Sequence, residues 1–225
     1  MIDRTLTLLK QRFAVQEEST GEFARIKAGP LQFRVARYIL PGVGNLATMQ
    51  AKGMLGLMRM DTLILTPLQC DAPLFSYDRI HVMGNDTLIV ELYDTMLQPE
   101  DEAYRAHLAA LDATKECFAD LPEHDLGAHW YDGIKLPQSA AKKCKGRADK
   151  MDALYLAMLD EYVRLMKDAK PCDPKEKAAK AAVYVEGLLQ NGGPSTDAFV
   201  KALGREQTEK LFRTVLFGTG TATIE

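Results

Sequence analysis

Long apolar runs are missing from this sequence of 225 residues. The longest, at residues 62–68 and 87–92, fall far short of the roughly 20 residues that cross a bilayer. The opening stretch MIDRTLTLLKQRF mixes charged residues with leucines, unlike the continuous apolar segment of a secretory signal. We therefore expect a cytoplasmic protein with no membrane partner.

Cysteine and excess positive charge are also scarce. The four cysteines lie at least 27 residues apart and form no C-x-x-C pair, so we expect reduced thiols, no metal site and no disulfide framework. The formal net charge of −3 argues against nucleic acid as a partner, because phosphate contacts need a basic face. The chain does have 47% apolar residues and no linker, so we expect one domain over residues 1–225 and a monomer.

Strand-like segments come first along the chain and helix-like segments second. Alternation and turn residues predict strands at residues 22–27, 31–40, 62–68, 74–82 and 87–93. Helical periodicity predicts helices at residues 3–14, 100–119, 139–168, 174–190 and 195–216, and in the second half of the glycine-rich segment 42–60. The short turn MGND predicts an antiparallel hairpin, and strands followed by helices favour an α+β fold.

One aspartate occupies the middle of a predicted strand, where carboxylates are usually avoided. Alternation places Asp78 on the more aliphatic side, with Leu74 and Ile80. Burial raises the pKa of a carboxyl group, and a carboxyl that holds its proton near neutral pH can act as a general acid. The alternative is that Asp78 stays ionised beside an arginine or caps a loop.

Two segments resemble the ferredoxin-dependent bilin reductases. TPLQCDAPLFSYDRI, residues 66–80, is similar to central strands of that family, whose P-x-F-x-x-D motif carries a proton-donating aspartate that falls on Asp78. STDAFVKALGREQTEKLFRTVLF, residues 195–217, is similar to the family's terminal helices. The resemblance implies a three-layer α/β/α sandwich with a central antiparallel sheet. It also implies a linear tetrapyrrole between the sheet and the C-terminal helices, no bound metal or flavin, and reduced ferredoxin as the electron donor.

The chain departs from the family pattern at several polar positions. The histidine of phycocyanobilin-type members falls at or near Asp61, and their partner glutamate near Met49, which argues against the phycocyanobilin-type reaction. A polar family residue before the last helices has Asn191 as its nearest counterpart, with Asp197 as the second choice. The resemblance thus implies a reductase with Asp78, Asp61 and Asn191 as catalytic residues, and leaves open a catalytically silent protein that binds a bilin or haem.

Basic residues suggest two further kinds of contact. Arg79 and Lys135 are candidates for holding the propionates of a tetrapyrrole, with Met49 and Asp197 as further substrate contacts. The run AAKKCKGRADK could be a solvated helix start, or it could dock an acidic ferredoxin, because complementary charge speeds encounter. Its candidate docking residues are Lys142, Lys143, Lys145 and Arg147.

A glycine motif supports a different function. GVGNLA at residues 42–47 fits the pattern G-x-G-x-x-A of a dinucleotide-binding turn, and a nucleotide-dependent oxidoreductase is the hypothesis it carries. Such a turn must be followed by a helix and further parallel βαβ units. The alternative is a loop without a nucleotide.

Overall fold

A computed structural model describes residues 1–53, 56–99 and 102–221 of the chain. The strands are β1 (Gln16–Glu18), β2 (Arg25–Ala28), β3 (Leu31–Leu40), β4 (Gly44–Gly53), β5 (Met58–Pro67), β6 (Leu74–Val82), β7 (Asn85–Tyr93) and β8 (Ala140–Lys145). The helices are α1 (Ile2–Lys10), α2 (Glu102–Glu116), α3 (Ala148–Asp168), α4 (Pro174–Asn191), α5 (Pro194–Leu203) and α6 (Arg205–Lys210), and α6 continues into a π-helical turn at Leu211–Leu216. No helix in these ranges is both long and apolar enough to span a membrane.

All eight strands belong to one antiparallel sheet. Its order is β1-β3-β4-β5-β6-β7-β8, and β2 pairs with the same edge of β3 as β1 does. The predicted hairpin is confirmed: β6 and β7 are joined by Met83 and Gly84, both with positive φ, which matches the right-handed twist of the two strands. The prediction of a mixed fold with a large antiparallel sheet is therefore confirmed.

The prediction of a helix in the second half of segment 42–60 is wrong for most of the described residues, because β4 extends to Gly53 and β5 begins at Met58; residues 54 and 55 lie outside the described residues. Six consecutive residues of β4, from Gly44 to Met49, are buried, so both faces of this part of the strand are covered and it shows no clean alternation. A Cβ on Gly44 would lie 2.3 Å from the carbonyl oxygen of Thr66, so this glycine allows close approach of β5. The glycine motif is followed by a strand, which contradicts the dinucleotide-binding hypothesis.

Another correction concerns the start of the predicted helix 139–168. Residues 140–145 form β8, which pairs with β7, and α3 begins only at Ala148 after Gly146 turns the chain with a φ of +73°. Alanine and lysine favour helices locally, but here they extend the sheet by covering the edge of β7. The basic run is therefore an edge strand, the turn that follows it and the first residues of α3.

Two apolar clusters lie on opposite faces of the sheet. On one face Phe75 and Tyr77 stack on Tyr162 and Tyr155 of α3, with ring centroids 4.7 and 3.7 Å apart. On the other face, residues such as Ile64 pack against α4, α5 and the C-terminal turn. Because successive strand residues point to opposite faces, each position of β5 and β6 can be assigned to one cluster or the other.

Candidate active site

A cleft of about 210 Å³ lies between the sheet and the C-terminal helices. This volume is below the roughly 300–1,000 Å³ of typical small-molecule sites. The floor is made by side chains of four adjacent strands: Met49, Thr62, Ile64, Ser76, Asp78, Glu91 and Tyr93. The walls come from the segment before β8, from α4 and α5, and from the C-terminal turn: His129, Tyr131, Tyr184, Leu188, Phe199, Phe212, Leu216 and Phe217.

Asp78 lies in a row of side chains that crosses the floor. Strand register places Met49 opposite Thr62 and Thr62 opposite Asp78. The Thr62 hydroxyl donates a short hydrogen bond to the Asp78 Oδ1 atom. The polar groups of this row are therefore held by the backbone pairing of β5 and β6, which are central strands of the sheet.

The surroundings of Asp78 favour its protonated form. Burial raises the pKa of the Asp78 carboxyl to about 6. The hydrogen bond from Thr62 acts in the opposite direction, because it stabilises the ionised form and lowers this pKa. The negative charge of Glu91 adds to the rise of this pKa. A carboxyl group with such a pKa can hold a proton close to neutral pH and release it to a bound ligand.

A second carboxyl group, Glu91, lies on the same floor. It is opposite Ser76 in the pairing of β6 with β7, and its residue is only 8% exposed. The Tyr93 hydroxyl donates a hydrogen bond of 2.6 Å to Glu91 Oε2. The other oxygen, Oε1, has no hydrogen-bond partner among the described residues, and the Lys135 Nζ atom lies 3.9 Å from it. A buried acceptor without a partner is uncommon and points to a group that binds there.

Aromatic rings form one wall of the cleft. The rings of Tyr93 and Tyr184 have centroids 4.3 Å apart, Tyr131 meets Tyr93 edge-on at 5.5 Å, and His129 stacks on Tyr131 at 4.8 Å. Burial raises the pKa of all three phenols above the ordinary value, so they remain neutral hydrogen-bond donors. Rings at such spacings suit the face of a flat conjugated ligand.

The loop between α4 and α5 forms the opposite edge. Gly192 and Gly193 have φ values of +71° and +140°, which side chains disfavour, and they direct α5 so that its first turn lines the cleft. No side chain caps the N-terminus of α5. Its free backbone N–H groups and the hydroxyl side chains of Ser195 and Thr196 are therefore the donors at this edge.

Two of the residues predicted as site residues line the cleft: Asp78 and Met49. Asp61 does not, because it pairs with Arg79 rather than Asp78 and so points to the other face of the sheet, where its Oδ1 accepts a hydrogen bond of 3.0 Å from Gln50. Thr62, the next residue along β5, occupies the position opposite Asp78. A shift of one residue reverses the face.

The other predicted contacts also lie outside the cleft. Asn191 is exposed, and its side-chain amide donates to the carbonyl oxygen of Gly187 at 2.9 Å. Asp197 is exposed on the first turn of α5. Arg79 lies on the other face of the sheet, 3.4 Å from Asp152 of α3. Its guanidinium is therefore held away from any ligand in the cleft.

Lys135 lies at the border of the site. Its Nζ is 2.7 Å from Asp132, and its side chain lines a second cleft, which Glu91 also lines. It does not line the main cleft. A propionate in the main cleft therefore has no lysine or arginine among the described lining residues.

The four predicted docking residues do not share one surface. Alternation along β8 buries Lys142, whose Nζ contacts Glu123 and the carbonyl oxygen of Leu121. Lys143 and Lys145 are exposed on the outer side. Arg147 lies beyond the strand and pairs with Asp120. The prediction is corrected for Lys142, because a buried lysine cannot meet a partner protein.

Sequence reasoning missed Glu91, Thr62 and the aromatic wall. Glu91 could have been found, because alternation along β7 places it with Tyr93 on one face, and pairing across the hairpin turn places that face beside Asp78. His129, Tyr131 and Tyr184 gave no such signal. They come from a segment without regular structure and from a helix, and only tertiary packing brings them to the sheet.

The chain resembles a known protein in its fold rather than in its sequence. No protein-family model matches the chain, and no curated protein matches it. Among solved structures, the chain is similar to phytochromobilin synthase from tomato, crystallised in complex with biliverdin, with a TM-score of 0.77 and 10% sequence identity. The match covers 100% of this chain and 84% of that chain. Phytochromobilin synthase is a ferredoxin-dependent bilin reductase, so the resemblance inferred from the sequence is confirmed at the level of the fold.

Proposed function

We propose that the protein binds a linear tetrapyrrole in the main cleft and reduces it by sequential electron and proton transfers. The observation that carries the proposal is a carboxyl group with a pKa of about 6, Asp78, at the floor of a cleft with an aromatic wall. The similarity of fold to a protein crystallised with biliverdin supports the class of ligand. The layering expected of such a fold, with helices on both faces of the sheet, is part of the same proposal.

The reaction needs electrons and protons in equal number. Reduction of one double bond consumes two electrons and two protons, and in this proposal an external donor, reduced ferredoxin, supplies the electrons one at a time. Asp78 supplies a proton to the pigment radical, which shortens the lifetime of a charged intermediate in a site with little water. The exposed Lys143 and Lys145 of β8 are the remaining candidates for docking the acidic donor.

In this proposal the pigment binds with its pyrrole rings inside the cleft and its propionates away from the floor. Two carboxyl groups on the floor disfavour the negative propionates there, while they accept hydrogen bonds from pyrrole N–H groups. We therefore place the rings against Tyr131 and Tyr184 and the propionates toward the first turn of α5, where uncapped N–H groups favour negative charge.

A second candidate function is storage or transport of a tetrapyrrole without reduction. The neighbours of Asp78 in its row favour it, because Met49 and Thr62 carry no group that titrates near neutral pH. A binding protein needs the cleft and its aromatic wall but not a supply of protons.

Visible spectra of the purified protein mixed with biliverdin test binding. A shifted and sharpened pigment band is expected, and an unchanged spectrum at high protein concentration contradicts both candidate functions. Addition of reduced ferredoxin and its reductase then separates the two, because bleaching or a shift to a new band indicates turnover. A stable biliverdin spectrum indicates binding alone.

Asp78→Asn tests the assigned proton donor. The amide keeps the shape and can still accept the Thr62 hydrogen bond, so we expect biliverdin affinity within about threefold of the parent and a reduction rate lower by 10²-fold or more, in line with loss of a general acid. Asp61→Asn is the matched control, because it makes the same change on the opposite face of the sheet. Reduction by the Asp78 variant at the parent's rate would refute the role.

A further inference from the structure

Glu91 lies between two cavities. Besides the main cleft, an outer cleft of about 200 Å³ opens beside β7 and β8, and its lining includes His124, Asp125 and Lys135. Glu91 is the one side chain that belongs to both linings among the described residues. It therefore separates the floor of the main cleft from an outer space that water can enter.

We propose that Glu91 carries protons from the outer cleft to a ligand in the main cleft. The inference rests on the proposed function and adds a proton route that is separate from Asp78. It follows from the position of one carboxyl group rather than from the resemblance in fold.

The two oxygens of Glu91 are in different situations. Oε2 accepts the hydrogen bond of 2.6 Å from Tyr93, which fixes the carboxyl group in one orientation. Oε1 is buried and accepts no hydrogen bond from a described residue. It is thus the atom that is free to take up and release a proton, while Tyr93 prevents the group from turning away.

The proton step balances without any group beyond the proposed donor. An electron first arrives from reduced ferredoxin. Glu91 in its acid form then gives the Oε1 proton to the pigment, so that an O–H bond breaks and a C–H or N–H bond forms. The carboxylate left behind takes a proton from water in the outer cleft. One cycle moves one proton inward and leaves the protein unchanged.

Charged and titratable groups surround Glu91 on several elements. Lys135 is the nearest cation, with its Nζ 3.9 Å from Oε1 and paired also with Asp132. The remaining groups that face it across the two clefts are Asp78 of β6, Tyr184 of α4, and His124, Asp125, His129 and Tyr131 of the segment before β8.

A pH jump on the biliverdin-loaded protein tests the route without an electron donor. Protonation of a pyrrole nitrogen changes the visible spectrum of a bilin, so stopped-flow absorbance after a jump from pH 8 to pH 6 measures how fast protons reach the bound pigment. We expect Glu91→Gln to slow this phase at least tenfold while its biliverdin affinity stays within about threefold of the parent. Asp132→Asn is the control, because it removes a carboxylate from Lys135 and lines neither cleft.

Turnover with reduced ferredoxin provides the second measurement. We expect Glu91→Gln to reduce biliverdin at least tenfold more slowly, with a pigment radical that accumulates in electron paramagnetic resonance spectra and a changed pH profile of the rate. If the parent protein reduces biliverdin and Glu91→Gln matches its rates in both the pH-jump and the turnover experiments, this inference is refuted and the proposed function is not. A parent that binds no biliverdin would overturn the proposed function and this inference together.

Discussion

Asp78→Asn should stabilise the folded protein at alkaline pH. The rise of the Asp78 pKa from the ordinary 3.8 to about 6 means that the folded state holds this proton more tightly than the unfolded chain does. At about 1.36 kcal/mol per pH unit, the difference amounts to about 3 kcal/mol. The sign follows from the raised pKa: the stabilising effect of the proton is fully present below the unfolded pKa near 4 and is lost as the pH rises through about 6.

An asparagine at this position carries no charge at any pH, so the variant avoids that loss. We expect the free energy of unfolding of Asp78→Asn, relative to the parent, to increase by about 3 kcal/mol between pH 4 and pH 8, mostly between pH 4 and pH 6.5. Urea unfolding followed by circular dichroism at five pH values measures it, since the other titrating groups are common to both proteins. Asp197→Asn controls for the removal of one exposed carboxylate. Parallel stability curves for parent and Asp78 variant would refute the raised pKa.

The same measurement in a Glu91→Gln background tests the coupling of the two carboxyl groups. They are diagonal neighbours on adjacent strands, a separation of roughly 7–8 Å. The charge of Glu91 contributes less than burial to the raised pKa of Asp78, and at this distance a partly screened pair interacts by about 1 kcal/mol. In the Glu91→Gln background, the increase in the free energy of unfolding that Asp78→Asn gives at pH 8 should therefore be smaller by about 1 kcal/mol. Equal gains in both backgrounds would show that the groups do not interact.

Three further substitutions test other parts of the structure. Lys177→Met should destabilise the fold by about 3–5 kcal/mol in urea unfolding, because the buried ammonium bonds Asp71 and two carbonyl oxygens that would lose their partner. Gly187→Ala should displace the single tryptophan and shift its fluorescence emission, because the added Cβ would lie 2.1 Å from the Trp130 ring; unchanged emission contradicts that packing. Thr62→Val removes the hydrogen bond that favours the Asp78 carboxylate, so the pKa of Asp78 should rise further. The pH at which the free energy of unfolding of Asp78→Asn stops rising relative to its Asp78 counterpart should therefore be higher in the Thr62→Val background.

Strand and helix positions were predictable where one face of an element is buried. The strand at residues 31–40 coincides with β3 because alternating side chains face the core and solvent. The pattern fails for β4, which is buried on both faces, and for β8, where helix-favouring residues pair with an open strand edge. In both places the neighbouring strands decide the conformation, and a local pattern contains no information about them.

The candidate site was predictable to the extent that strand geometry determines it. Asp78 follows from alternation within one strand, and Glu91 follows from counting back across the hairpin from the pair Val82 and Asn85. The resemblance places the family's histidine at or near Asp61 without a strand register, and one residue decides the face: Thr62 lines the cleft and Asp61 does not. Side chains from helices and irregular segments, such as Tyr184 and His129, cannot be placed without the tertiary structure.

The unpartnered groups on the cleft give a reason for expecting a ligand that is independent of the similarity in fold. Glu91 Oε1 and His129 Nδ1 are buried, accept or donate no hydrogen bond among the described residues, and belong to side chains that line the main cleft. Each such group costs about 1–3 kcal/mol in an unfilled site. A ligand that offers N–H donors on a flat framework recovers this free energy, and the aromatic wall contacts the same framework. An apolar ligand of equal size would leave both atoms unsatisfied, so under the proposed function we expect a bilin to bind more tightly than an apolar molecule of the same size.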